Sequence, residues 1–213
     1  TKLIHTGEGG ILLCDDQDMR DWMATYRNYG KAWGPMEDPV FARPDLIGYN
    51  WRMTEFQAAI GVILWRNREE IIRDRSVSAT VYDAVCKDVS LRKLIYRLPV
   101  DGSEKGKLQA NLYKYIVIVP PLKTVEDNHC FAARLRKKGV LLQAKCNSIP
   151  LSRMDAYKGM LTLPKGYRSS IHDADLYSMS HIALPIYPGL AAETAQVVVH
   201  AIVETIRELQ SGF

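Results

Sequence analysis

Two side chains near the start of the chain are of types that could do chemistry. Lys2 stands six residues before Glu8, in Lys2-Leu3-Ile4-His5-Thr6-Gly7-Glu8-Gly9-Gly10. Its amine could form a Schiff base with a carbonyl compound, provided the site keeps the amine neutral by desolvation or by nearby cations. Gly9-Gly10 permits close backbone approach or a positive φ, and it also fits a simple tight turn. Asn50 lies shortly before Thr54-Glu55-Phe56-Gln57. By residue type alone it reads as a turn or cap asparagine. No Gly-x-Gly-x-x-Gly follows a strand, and no Walker pattern is present, so the glycines are not a nucleotide fingerprint.

The elements that must position these residues can be read from pattern. Gly10-Ile11-Leu12-Leu13-Cys14 is a short apolar run, as a strand buried on both faces requires. Asp15 or Asp16 can cap a helix in which Met19, Trp22, Met23 and Tyr26 recur at helical spacing and pack into a core. Gly30 is placed to end that helix as a C′ glycine. Lys31 to Tyr49, with three prolines, reads as a long functional loop. Thr54 and Gln57 form a capping box that opens a helix. Phe56, Ile60, Ile63 and Leu64 line one face of it, and one long helix or two abutting ones end near Val85.

The rest alternates. Strands are expected over 94–100, 112–119 and 140–144. A polar turn at 102–106 separates the first two. A helix opens at Thr124 and closes at Gly139. Residues 149–167 read as a loop, 173–181 as a short helix and 183–188 as extended chain. A last helix over 192–210 carries Val198, Ile202, Ile206 and Leu209 on one face. From about Arg75 onward this is a small sheet covered by helices, an α+β arrangement.

Composition narrows the function classes. The chain has 213 residues, 47% hydrophobic and 24% charged, as in an ordinary globular protein. A chain of this length can bury about 70% of its unfolded surface. The net charge of +4 comes without a Lys/Arg block, which argues against nucleic-acid binding. Arg134 to Lys138 reads as the last turn of a helix, where cations complement the dipole. Cys14, Cys86, Cys130 and Cys146 are scattered without a C-x-x-C pair, so neither a metal site nor a disulfide framework is expected. With no apolar run near 20 residues and no charged-then-apolar leader, the expected location is the cytoplasm, with no membrane span.

Three stretches taken together carry a resemblance: Lys2 with Gly7-Glu8-Gly9-Gly10, then Arg27-Asn28-Tyr29-Gly30, then Gly48-Tyr49-Asn50-Trp51-Arg52-Met53-Thr54-Glu55-Phe56-Gln57-Ala58-Ala59. Asn111 to Tyr115, Pro150-Leu151 with Tyr157, and Leu184-Pro185-Ile186-Tyr187-Pro188-Gly189-Leu190 follow in order. The chain thus resembles the C-terminal half of sugar aminotransferases of the DegT/DnrJ/EryC1/StrS family, which use pyridoxal 5′-phosphate (PLP). The resemblance implies a partial fold-type-I PLP-transferase of the α/β class. Residues 1–75 would be the end of the large PLP-binding domain, with an interface loop at 31–49 and a connecting helix. Residues 76–213 would be the small α+β domain.

The resemblance implies that Lys2 binds PLP covalently and then shuttles the substrate proton, which is covalent followed by acid–base catalysis. Asn50 would reach the PLP phosphate of the neighbouring subunit in a homodimer. The 33–49 loop would border a nucleotide-sugar pocket. A lysine at this position, where some relatives carry histidine, implies transamination rather than deoxygenation. The implied reaction moves an amino group, from a donor such as glutamate, to a nucleotide-linked keto sugar or similar ketone. Such sugars serve cell-surface polysaccharides or antibiotics.

Ser152 replaces a histidine common in the family, and His5 and Tyr29 also differ from common family residues. Full members are nearly twice as long, so the acid facing the pyridine nitrogen and much of the phosphate cup are expected outside these 213 residues. The isolated chain is then expected to be inactive, to bind PLP weakly or not at all, and to self-associate through its N-terminal region or the Thr54 helix. A non-catalytic remnant that dimerises or binds a ligand, and a clipped fragment, stay open as alternatives.

Overall fold

The computed structural model describes residues 2–31, 46–97, 111–143, 149–150, 153–157 and 168–211. The expected turn at 102–106, Cys146 and Ser152 fall outside them, as does most of the 31–49 loop. The chain divides into two compact units, residues 2–68 and 69–213.

In the first unit, Asp16 caps helix α1 (Gln17–Tyr26) by accepting from the Met19 amide at 2.7 Å. Helix α2 (Glu55–Arg66) opens on the expected capping box of Thr54 and Gln57. It stops at the Asn67 C-cap, and α3 (Arg68–Lys87) starts there, so the long helical stretch is two abutting helices.

Three expectations fail in this unit. Residues 10–14 are not a strand; they form no regular element, with Ile11 76% and Leu13 93% exposed. A strand needs neighbours for its N–H and C=O groups, and none of the described residues pairs with this run. Met19 and Trp22 are half exposed rather than core, because no described layer packs over α1; Trp22 instead stacks on Tyr26 with ring centroids 4.9 Å apart. The C-cap of α1 is Arg27, so Gly30 lies beyond the C′ position.

The second unit holds a packed core. Strand β1 (Tyr115–Ile118) pairs antiparallel with β2 (His181–Leu184), Tyr115 facing Leu184 and Ile118 facing His181. A single bridge, Tyr96 to Ile118, extends one edge, and another, Gln143 to Ala183, extends the other. The strands expected at 94–100 and 140–144 are thus reduced, within the described residues, to one bridged residue each. Leu94 and Ile95 are still engaged in a turn through bonds to the Leu91 carbonyl. Helix α4 (Val125–Lys137) opens on a second capping box, Thr124 with Asp127. It closes with Gly139 at φ +80°, and the Val140 amide donates to the Leu135 carbonyl at 2.9 Å, a Schellman closure. Helix α5 (Arg168–Ser180) leads into β2, and α6 (Ala192–Ser211) packs on α4.

The apolar face of α6 is buried as its spacing requires: Val198, Ile202, Ile206 and Leu209 sit in one cluster with Tyr82, Tyr115, Phe131 and Leu135. Tyr82 donates its hydroxyl to the Pro185 carbonyl at 2.8 Å, and burial pushes its pKa up. Tyr115 donates to Asp83, which also accepts from Arg97 at 2.9 Å. The basic end of α4 meets α6: Lys138 lies 2.6 Å from Glu204 and 2.8 Å from Glu208.

Candidate functional site

Lys2 and Asn50 both belong to the unit of residues 2–68, and both are exposed. After Lys2 the chain bends through a turn in which Gly7 (φ +82°) and Gly9 (φ +147°) occupy conformations that favour glycine. A Cβ on Gly9 would come within 2.8 Å of Thr6 Oγ1 and 3.1 Å of Met53 Cε. The turn is therefore closed against the segment that precedes α2.

Gln57 makes that closure specific. Its Oε1 accepts from the Thr54 amide at 2.9 Å, completing the capping box. Its Nε2 reaches the other way and donates to the Glu8 carbonyl at 2.8 Å. The same carbonyl accepts from Thr6 Oγ1 at 2.8 Å. One side chain thus ties the turn after Lys2 to the start of the helix that follows Asn50. The capping box was legible from the sequence. The link to Glu8 was not, because nothing local signals a bond across 49 positions.

Asn50 is set by a second device. The segment around it runs against the end of α1: the Tyr29 amide donates to the Tyr49 carbonyl at 3.0 Å, Tyr49 to Tyr26 at 2.8 Å, and Trp51 to Arg27 at 2.9 Å. Asn50 bridges Asn28 in antiparallel fashion. The approach demands glycine, since a Cβ on Gly48 would lie 2.3 Å from the Gly30 nitrogen. Tyr49 stacks on Trp51 at 5.0 Å, and Tyr26 meets both edge-on. Arg52 Nε donates to Asn50 Oδ1 at 3.1 Å. The Arg52 guanidinium lies 5.1 Å from the centre of the Tyr29 ring, and Lys31 Nζ lies 5.9 Å from it.

In the other unit, Tyr157 ends a short 3-10 turn, Asp155–Tyr157. Next to it Arg153 grips Asp175 with two bonds, Nε at 2.7 Å and Nη2 at 2.6 Å; hydrogen bonding to that carboxylate raises the arginine pKa.

The profile of the DegT/DnrJ/EryC1/StrS aminotransferase family matches residues 1–203. The chain belongs to that family. It is similar to the UDP-4-amino-4,6-dideoxy-N-acetyl-beta-L-altrosamine transaminase of Helicobacter pylori, at 23% identity over 209 residues covering 98% of this chain and 51% of that one. An aminotransferase of known structure from Psychrobacter cryohalolentis superposes with a TM-score of 0.80 at 20% identity, over 98% of this chain and 54% of that chain. A Streptococcus pneumoniae neighbour solved in a PLP form gives a TM-score of 0.69 at 16% identity, over 94% of this chain and 46% of that chain. The fold is accordingly that of fold-type-I PLP aminotransferases, and the family member spans about half the length of these relatives.

By residue type, Lys2 carries a primary amine, and Asn50 carries an amide whose carbonyl oxygen accepts from Arg52.

Proposed function

We propose that these residues are the C-terminal half of a PLP-dependent aminotransferase. It transfers an amino group, with glutamate as the expected donor, to a nucleotide-linked keto sugar or similar ketone. The observation that carries this reading is the family match over 1–203, with Lys2 near its start, ahead of the turn that Gln57 ties to α2. The Helicobacter pylori relative, named for a UDP-linked amino sugar, supports the substrate class.

PLP would supply the electron sink that stabilises charge at the substrate Cα. Lys2 would hold its aldehyde carbon and then carry the proton to and from the substrate Cα, which requires a neutral amine. Asn50 would donate to the phosphate of the site across a homodimer interface. Exposed Phe56, Ile63 and Trp65 on α2 supply apolar surface for such an assembly. The cytoplasm is the proposed location.

The test is turnover of a nucleotide-linked keto sugar with glutamate by the protein that contains this chain. Lys2→Ala should abolish it, and turnover surviving in that variant would sink the assignment of Lys2. The 213-residue chain by itself is proposed to be inactive, since Lys2 and Asn50 serve only two ends of the cofactor. Lys2-dependent cofactor absorbance with turnover in the isolated chain would overturn that part. The half-length match also favours a second reading, a non-catalytic dimerising remnant. Absence of transamination in any assembly containing intact Lys2 would favour it.

A further inference from the structure

From the geometry around Asn50 we infer that Arg52 and Tyr29 are positioning residues. They fix the Asn50 amide in the one orientation that presents its NH2 group to an anionic oxygen. The inference rests on the proposed phosphate role of Asn50.

An asparagine amide can turn over, exchanging its acceptor oxygen for its donor nitrogen at little cost when both ends face water. Arginine removes that choice, because a guanidinium has donors and no acceptor. With Arg52 Nε 3.1 Å from Asn50 Oδ1, only the oxygen can face Arg52, and the nitrogen must face away. Arg52 is itself held. Its guanidinium lies 5.1 Å from the Tyr29 ring centre, within the range of a cation–π contact.

Tyr29 is placed by its backbone. It takes φ +61°, a conformation uncommon for a residue other than glycine, asparagine or aspartate. Its amide donates to the Tyr49 carbonyl, one residue before Asn50. A bulky residue in this conformation has to be imposed by its surroundings, and here those surroundings are the same backbone ladder that carries Asn50. Lys31 Nζ, 5.9 Å from the same ring centre, adds a second positive charge that an incoming anion would meet.

The experiment has two arms. In the 213-residue chain, 15N relaxation of the Asn50 side-chain amide is measured for the native sequence and for Arg52→Met, Arg52→Lys and Tyr29→Phe. Arg52→Met, which keeps the stem and removes the donor, should free the amide, while backbone relaxation over 46–54 stays unchanged. Arg52→Lys should restore part of the order, and Tyr29→Phe, which keeps the ring face, all of it. Equal amide order in Arg52→Met and the native chain would overturn the inference.

In the protein that contains this chain, affinity for PLP is compared with affinity for pyridoxal, which lacks the phosphate. Asn50→Ala should lower the PLP preference about 10-fold or more, as loss of a hydrogen bond to a charged group does. Arg52→Met should lower it by about 3- to 10-fold, and by nothing further once Asn50 is alanine. No loss in Asn50→Ala would overturn the phosphate reading itself. A loss in Asn50→Ala without one in Arg52→Met would overturn the inference alone. An equal Arg52→Met loss in both backgrounds would show Arg52 acting directly on the anion, and would also overturn it.

Discussion

Residues 69–213 and residues 2–68 spend their apolar side chains in opposite ways. The larger unit buries Tyr82, Tyr115, Phe131, Ile182 and Ile206 almost completely. Several of its polar groups are paired, in Tyr115–Asp83–Arg97 and in Lys138 with Glu204 and Glu208. Among its described residues, the smaller unit buries no large apolar side chain; Leu13, Phe56 and Trp65 face outward. Yet the smaller unit carries Lys2 and Asn50. Its order comes from backbone ladders, close glycine contacts and the bonds of Gln57 rather than from a core. The proposed chemistry thus falls in the unit whose described residues bury the least apolar surface.

The largest expected effect separates the two units directly. Phe131→Ala, at a fully buried site, should cost about 3–5 kcal/mol. Phe56→Ala, at a side chain 85% exposed in the single chain, should stay within about 0.5 kcal/mol when unfolding is followed at concentrations where the chain is monomeric. Urea unfolding of the two variants measures both. A comparable loss at Phe56 would break the comparison.

Self-association comes next. If the exposed face of α2 is covered by a second chain, Phe56→Glu with Trp65→Glu should shift the sedimentation profile towards monomer. A native chain that is already monomeric at micromolar concentrations would contradict the dimer proposal.

The two capping boxes allow a finer contrast. Thr54→Ala and Thr124→Ala should each cost about 1 kcal/mol at neutral pH. They should part in acid. Asp127 accepts from the Lys123 amide at 3.0 Å and the Thr124 amide at 2.9 Å, and these bonds hold its carboxyl below the ordinary value of 3.8. The stabilisation is therefore complete above the unfolded pKa and is lost as pH falls through the lower folded value. The box of Gln57 has no such dependence, so acid should narrow the penalty of Thr124→Ala and leave that of Thr54→Ala unaltered. Thermal melts at pH 7 and pH 2.5 would show it.

The smallest effect belongs to Lys138→Met. It removes pairs with Glu204 and Glu208 on exposed surface, and its slight penalty should fade in high salt.

The features legible in the sequence are those with local causes. Asp16, Thr54 and Thr124 act as caps through bonds to residues three positions away. Gly139 closes α4 with the backbone geometry its position implies. The face of α6 follows from spacing alone. The misread features depend on partners elsewhere in the chain. Ile11 to Leu13 has the composition of a buried strand but no described strand beside it. Trp22 has the spacing of a core residue in a unit whose described residues form no apolar core. The proposed roles of Lys2 and Asn50 rest on motif. The bond from Gln57 to Glu8, and the Arg52–Tyr29 pair behind Asn50, arise only once distant segments meet.

The most direct test of the central claim is to load the protein containing this chain with PLP, reduce it with borohydride and map its peptides by mass spectrometry. The account predicts a pyridoxyl label on Lys2, lost in Lys2→Ala. A label concentrated on another lysine, with Lys2 unmodified, would contradict it.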